Sequence, residues 1–394
     1  MDVLKILGRK SPLFELDLIS NNKAIQERVE NHRFLVLGGA GSIGQAVVKE
    51  IFKRNPSLLH VVDINENNLA ELVRDIRSSI GYIKGEFRTF AIDISSKIFN
   101  RFIENQVPYD YVLNLSALKH VRSEKDVYSL MRMIEVNIFN TEKTIDLSIA
   151  NGAKKYFCVS TDKAANPVNL MGATKRIMEK VLVLKSQEIN ISTARFANVA
   201  FSDGSLLYGF RNRIEKNQPI VVPTDVKRFF VTPQESGELC LLSTIFGKTR
   251  EIFFPQLNDQ FNLTTFTEIL EGYLNSIGLK PSLFSSEDEA RKAVFNKNEN
   301  NWPCLYTHSD TTGEKIFEEF YTENEELDLN SFKTIGIVKS EFDSEELAIK
   351  KFKEDILEIS ASKKWSKSDI VDAIRNILPE LEYEDLGKYL DEKM

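Results

Sequence analysis

The sequence has no apolar run approaching the roughly 18 residues that a membrane-spanning helix requires, so no membrane span is expected. Residues 1–17 carry neither an apolar core nor a small-residue cleavage site, and a secretory signal is not expected. Cysteine is scarce: Cys158, Cys240 and Cys304 stand far apart and odd in number. That excludes a disulfide scaffold and a Cys-x-x-Cys zinc site, and it fits a reducing, cytoplasmic setting. His32, His60 and His308 show no metal-ligand spacing, and no metal is assigned. Basic runs with interleaved aromatics are missing too, so nucleic acid is not an expected partner.

What is present is ordinary globular composition: 394 residues, 42% hydrophobic and 28% charged, enough for one large domain or two smaller ones. The net charge of −7 is unevenly split. Residues 1–250 hold 35 Lys+Arg against 27 Asp+Glu (+8), and residues 251–394 hold 16 against 31 (−15). The first portion suits an anionic ligand, although a chance split of solvated charges reads equally well.

After a polar lead-in with a short helix expected around 22–29, short apolar runs at 34–37, 58–63, 87–92, 111–115, 156–160 and 193–196 read as strands. Helix-length amphipathic segments at 43–54, 66–79, 95–104, 129–150 and 171–187 separate them. This alternation predicts repeated βαβ units, hence an α/β fold with a Rossmann-type doubly wound parallel sheet. Beyond Asn198 the regularity fades among turn signals at Asp203-Gly204, Pro219, Pro223 and Pro233, which predicts a smaller lobe. Residues 321–394 are charged and helical in pattern, with Ile370, Ile374, Ile377 and Leu381 spaced for one buried face and Pro379 expected to break the last helix. The expected division is a lead-in (1–32), a dinucleotide-binding domain (33–200), a mainly substrate-binding lobe (201–320) and a helical C-terminal extension (321–394).

Between the first strand and the first helix of that alternation lies Gly38-Gly39-Ala40-Gly41-Ser42-Ile43-Gly44, which satisfies G-x-G-x-x-G and G-x-x-G-x-x-G. Glycines let the backbone turn tightly against a pyrophosphate, and the helix N-terminus supplies free N–H groups. Asp63 ends the next strand, 19 residues after Gly44. An acid there accepts hydrogen bonds from adenosine ribose hydroxyls and repels a 2′-phosphate, which favours NAD over NADP. Asp93, followed by Ile94, ends the third strand and either flanks the adenine or caps a turn.

The fifth strand runs into Thr161-Asp162-Lys163, a hydroxyl, an acid and an amine in succession where ligands bind such sheets. Lys175 follows on the next helix with Met171 one turn before it.

These words carry a family resemblance. The chain resembles the extended short-chain dehydrogenase/reductases and, more narrowly, the UDP-N-acetylglucosamine 4,6-dehydratases of polysaccharide biosynthesis. The matching segments are the glycine turn, Ala117-Leu118-Lys119-His120-Val121, Asn137, residues 160–176, Arg195-Phe196-Ala197-Asn198-Val199, Arg228-Phe229-Phe230 and Gly313-Glu314-Lys315. They occur in order over residues 34–320.

The resemblance implies bound NAD, held by Gly38, Gly41, Ser42, Ile43, Gly44, Asp63, Asp93, Ile94, Ala117, Lys119 and Lys175. It implies an internal redox cycle: oxidation at sugar C4, loss of water across C5 and C6, and return of hydride to C6. Asp162 is then the acid at the departing C6 oxygen, Lys163 the base at C5, Thr161 the partner of the C4 oxygen, Lys175 the nicotinamide-ribose contact, and Asn137 an ordering residue. Burial and neighbouring cations would have to lower the Lys163 amine. Lys119, His120, Asn198, Arg228 and Glu314 fall to the nucleotide-sugar substrate. Met171 stands where the wider superfamily has a tyrosine base, which points to the branch that retains configuration at C5. Departures at Asp203, Val226-Lys227 and Thr311-Thr312 leave the nucleotide less fixed than the reaction. A C5-inverting 4,6-dehydratase, a 4-epimerase and a non-catalytic NAD-binding sensor or scaffold stay open. A homo-oligomer is implied only by analogy with relatives that pair through helices of the sheet domain.

Overall fold

Runs such as Phe34-Leu35-Val36-Leu37, apolar on both faces, need cover from two layers, and they form the centre of a nine-stranded sheet. The computed structural model describes residues 2–257, 263–296, 300–309, 313, 315, 317–341 and 345–387. The sheet strands are β1 (Arg33–Leu37), β2 (Leu58–Asp63), β3 (Glu86–Ala91), β4 (Tyr111–Asn114), β5 (Lys155–Thr161), β6 (Asn190–Phe196), β7 (Glu251–Pro255), β8 (Glu326–Asp328) and β9 (Ile335–Lys339). Their spatial order is β8-β9-β7-β6-β5-β4-β1-β2-β3. From β3 to β7 all pairs are parallel, with Val36 of β1 opposite Val61 on one side and Leu113 on the other. The chain reverses direction across the sheet between β1 and β4, and the carboxyl ends flanking that point form the ligand crevice of doubly wound folds.

The helices that matter for the site are α1 (Glu15–Glu30), α2 (Ser42–Phe52), α3 (Val127–Ile134), α4 (Asn140–Asn151), α5 (Leu170–Lys185), α6 (Pro233–Phe246), α7 (Glu346–Ala361) and α8 (Lys367–Ile377). One core layer joins β1, α2 and α6 through Val36, Val47, Ile51 and Leu241; a second lies on the opposite face around Leu35, Tyr109, Tyr156 and Met178. A smaller lobe holds a parallel three-stranded sheet, Lys280–Leu283 beside Asn301–Thr307 beside Ile220–Pro223. Phe210, Tyr273 and Trp302 fill its core.

Four differences from the sequence reading have local causes. Helix α1 extends well before residue 22, because Leu13, Phe14 and Ile25 are buried and the Arg9 guanidinium grips Glu235 of α6 with two hydrogen bonds of 2.7 Å. The helix expected over 129–150 is interrupted by a π-turn, Glu135–Phe139. Residues 321–394 contribute two strands as well as helices: the apolar run Ile335-Gly336-Ile337-Val338 extends the sheet edge antiparallel to β7. The last helix stops at Ile377, before Pro379, and residues 378–387 are not helical.

Helix α5 presents Leu170, Ala173, Ile177 and Val181 along one stripe, and α3 adds Leu130, Met131 and Ile134. Helices α7 and α8 cover this surface with Ile349, Phe352, Ile356, Ile370 and Ile374. Among the described residues, no helix is long and apolar enough to cross a membrane.

Candidate functional site

A cleft of about 310 Å³ opens at the carboxyl ends of β1, β4, β5 and β6. Its walls bring together Gly38, Gly41, Ser42, Ile43 and Gly44 from the glycine turn, and Ala117, Lys119 and His120 from the segment after β4. Thr161, Asp162, Lys163, Met171, Lys175 and Asn198 line it as well, whereas Asp63, Asp93, Ile94, Asn137 and Arg228 do not.

The glycine turn needs its glycines. Gly38 has φ +70°, and a Cβ on it would lie 2.7 Å from the Ser116 nitrogen. A Cβ on Gly44 would collide with the Gly38 carbonyl, so the helix could not start so close to β1. Gly41 is the N-cap of α2 and supplies no capping side chain, which leaves the first N–H groups of the helix for a ligand. Asp63 lies outside the cleft wall: Oδ2 accepts from the Ala40 N–H at 2.9 Å and Oδ1 from the Asn65 N–H at 2.9 Å, so it braces the turn from below. Asp93 caps its own turn, accepting from the Ser95 N–H at 2.8 Å. Burial works against its ionisation, but the Ser95 hydrogen bonds prevail and hold it below its ordinary range. Ile94 is buried, and its carbonyl accepts from the Lys143 ammonium at 3.1 Å.

Thr161 ends β5 and caps the short turn Asp162–Ala164. Its hydroxyl donates to Asp162 Oδ1 at 2.8 Å, and the same oxygen accepts from the Lys163 N–H at 2.9 Å and the Lys163 ammonium at 3.1 Å. Acid and amine are thus one hydrogen-bonded pair. Burial lowers the Lys163 amine, but the Asp162 and Glu318 charges outweigh it and hold the ammonium above its ordinary range. The sequence reading expected burial and neighbouring cations to depress it; burial and Arg228 do pull it down, but the two carboxylates prevail. Lys175 Nζ donates to the Val159 carbonyl at 3.0 Å, and burial holds its amine below the usual range.

Asn137 is fully buried on the π-turn and does not line the cleft. It accepts from the Leu118 N–H at 3.0 Å and donates to the Leu118 carbonyl at 2.9 Å and to Thr174 Oγ1 at 3.0 Å. It therefore fixes the Ala117–His120 wall to α5. Desolvation and the charges of Lys119 and Arg122 hold the His120 imidazole below its ordinary range. Above it, Ser42 and Asp203 bond reciprocally, hydroxyl to carboxylate at 3.0 Å and Asp203 N–H to Ser42 Oγ at 2.9 Å, joining the lobe to the glycine turn. Asn198 Nδ2 is buried and finds no hydrogen-bond partner among the described residues.

Arg228 stands behind the cleft, donating to the Lys315 carbonyl at 2.9 Å and lying 3.9 Å from Glu318. Glu314 lies outside the described residues. Sequence reasoning missed Glu318, which is 3.7 Å from Lys163 across 155 positions of chain; the only signal was its place just after Gly313-Glu314-Lys315. It also missed Glu124, a buried carboxylate at the N-terminus of α5. Among the described residues no His, Cys, Asp or Glu cluster is placed to hold a metal ion.

A family model described as "Polysaccharide biosynthesis protein" matches residues 34–340. An uncharacterized membrane protein of Methanocaldococcus jannaschii is 30% identical over 311 residues, 77% of this chain and 84% of that protein. A UDP-N-acetylglucosamine 4,6-dehydratase (inverting) of Campylobacter jejuni is 31% identical over 57% of this chain and 66% of its own length. The chain spans about half the length of the Staphylococcus aureus and Bacillus subtilis polysaccharide biosynthesis proteins that it also matches. In fold it is similar to a dTDP-glucose 4,6-dehydratase of Streptomyces venezuelae solved with NAD, with a TM-score of 0.55, 17% identity, and coverage of 73% of this chain and 87% of that one.

Proposed function

The chain belongs to the polysaccharide biosynthesis protein family, and from that premise we propose that it is an NAD-dependent nucleotide-sugar 4,6-dehydratase acting on UDP-N-acetylglucosamine with retention at C5. One observation carries the reading: the Asp162–Lys163 pair and the glycine turn open into the same cleft.

The residues fit the cofactor. Gly38 and Gly44 let the turn close tightly against Ser116 and the Gly38 carbonyl, which leaves the first N–H groups of α2 free to face a pyrophosphate. NAD bound there supplies the reversible hydride acceptor. Ser42, Ile43 and Ala117 would hold it, and Lys175 Nζ would donate to its ribose. On the sugar, the Thr161 hydroxyl turns from Asp162 Oδ1 to the C4 oxygen and passes the C4 hydroxyl proton to solvent as C4 is oxidised. Lys163 as a neutral amine takes the C5 proton, and Asp162 as a carboxylic acid delivers one to the C6 oxygen as it leaves. Passing the proton of the Lys163 ammonium to Asp162 Oδ1 along their 3.1 Å hydrogen bond creates both active forms at once. Asn198, with its orphaned amide, binds the substrate side of the cleft. By the family resemblance Met171 favours the C5-retaining dehydratase over an epimerase or simple reductase; its thioether accepts no proton, so C4 deprotonation does not run through it.

Incubation of the purified chain with NAD and UDP-N-acetylglucosamine in heavy water tests this. Loss of one water by mass and a new C6 methyl resonance support dehydration, and retention is read from the H4–H5 coupling constant after borohydride reduction of product made in ordinary water. An isomer of unchanged mass would mean epimerisation instead, and turnover of dTDP- or GDP-sugars alone would reassign the nucleotide.

A further inference from the structure

The Lys163 ammonium lies between two carboxylates. Asp162 Oδ1 is 3.1 Å away on one side and Glu318 Oε1 3.7 Å on the other. Glu318 is buried at 4% exposure, and the same oxygen is 3.9 Å from Arg228 Nη2. Glu318 does not line the cleft, so it acts on the chemistry through its neighbours, Lys163 the nearest of them across an ion pair of 3.7 Å. We infer that Glu318 is a positioning residue that sets the proton affinity of Lys163 and thereby gates the transfer of its proton to Asp162. The functional consequence rests on Lys163 being the base proposed above.

The physical basis is short-range Coulomb interaction away from water. The transfer breaks an N–H bond on Lys163 and forms an O–H bond on Asp162, leaving an amine and a carboxylic acid with no proton taken from solvent. An ionised Glu318 opposes this step, because it stabilises the ammonium that must disappear. A protonated Glu318 releases it. The groups facing Glu318 are Lys163 and Asp162 from the turn after β5, Arg228 from the short strand Lys227–Arg228, and Lys315 from its own segment. Burial and the Asp162 charge push the Glu318 carboxyl up, while Lys163, Arg228 and Lys315 pull it down; the balance lies above its ordinary range.

The test reads Lys163 directly and needs no turnover. The full chain is acetylated with trace acetic anhydride across a pH series, and modification of the Lys163 peptide is followed by mass spectrometry. In the wild type, the Lys163 midpoint should lie above that of exposed lysines in the same sample. In E318Q it should fall by about one pH unit or more, and in E318D, which keeps the charge, by less than half as much. A wild-type midpoint at or below the exposed lysines overturns the proposal, whether or not E318Q folds. So does an E318Q midpoint that stays put in a protein with native circular dichroism. Turnover of UDP-N-acetylglucosamine is measured on the same wild-type sample. Its absence would count against the proposed reaction while leaving the acetylation result to decide on Glu318.

Discussion

Glu124 Oε1 accepts the Met171 backbone N–H at 2.7 Å, so a buried carboxylate closes the first turn of α5 one turn before Lys175. Burial pushes its carboxyl up to about 7, although the N–H groups of Met171 and Leu170 and the Lys367 charge pull the other way. The folded value stands above the unfolded one, so the folded state binds the proton more tightly. Stability then falls as pH rises from about 4.5 to about 7 and stays lowered above that.

Glu124→Gln keeps an acceptor for the Met171 N–H and removes the titration. It should flatten the pH dependence of urea unfolding between about pH 4.5 and 7, a term of up to about 3 kcal/mol. Glu124→Ala loses the cap and should cost about 1–2 kcal/mol near pH 5.

Arg195 is fully buried between Glu179, at 2.8 Å, and Glu325, at 2.7 Å. Removing it leaves the buried Glu179 and the half-buried Glu325 with Arg176 as their remaining cation, and Arg195→Met should destabilise the fold by about 3–5 kcal/mol in urea unfolding. Despite its burial, Glu325 is held down to about 2 by the Arg195 hydrogen bonds and charge. Its contribution is complete above the unfolded carboxyl value and is lost as pH falls toward about 2, so acid unfolding of the wild type should steepen there.

Gly38→Ala places a methyl group against Ser116 in a left-handed conformation. NAD binding by calorimetry should weaken by about tenfold or more. Affinity equal to the wild type would place the cofactor elsewhere.

Asp162→Asn and Lys163→Ala should each lower kcat by about 10²–10⁴ while leaving NAD binding intact. Met171→Ala should cost less than about tenfold, because a thioether carries no proton. Circular dichroism and NAD titration on each variant separate loss of chemistry from loss of fold.

The central parallel strands were legible because each is a short apolar run bounded by turn residues, and the cleft was legible because its glycines and the Thr161-Asp162-Lys163 string are local in sequence. Longer-range facts were not. Asp63 reads as a ribose ligand from spacing; that each of its oxygens also accepts an N–H, from Ala40 and from Asn65, had no signal in sequence. Glu318 and Lys163 meet only through the tertiary fold, and no periodicity links them. Strand β9 lies in a stretch dominated by charged helical residues, where the short run Ile335-Gly336-Ile337-Val338 is outweighed in composition. The cover of α5 was legible only as an apolar stripe on α8, without its partner.

That cover has a consequence for behaviour in dilute solution. The surface of α3 and α5 is buried by Ile349, Phe352 and Ile374 of the same chain, and a tethered partner is present at a fixed effective concentration. Its burial obeys no mass-action law in protein concentration. Dilution that would strip a separate subunit from such a surface leaves α7 and α8 in place, so the helix carrying Met171 and Lys175 keeps this support however few molecules share the solution.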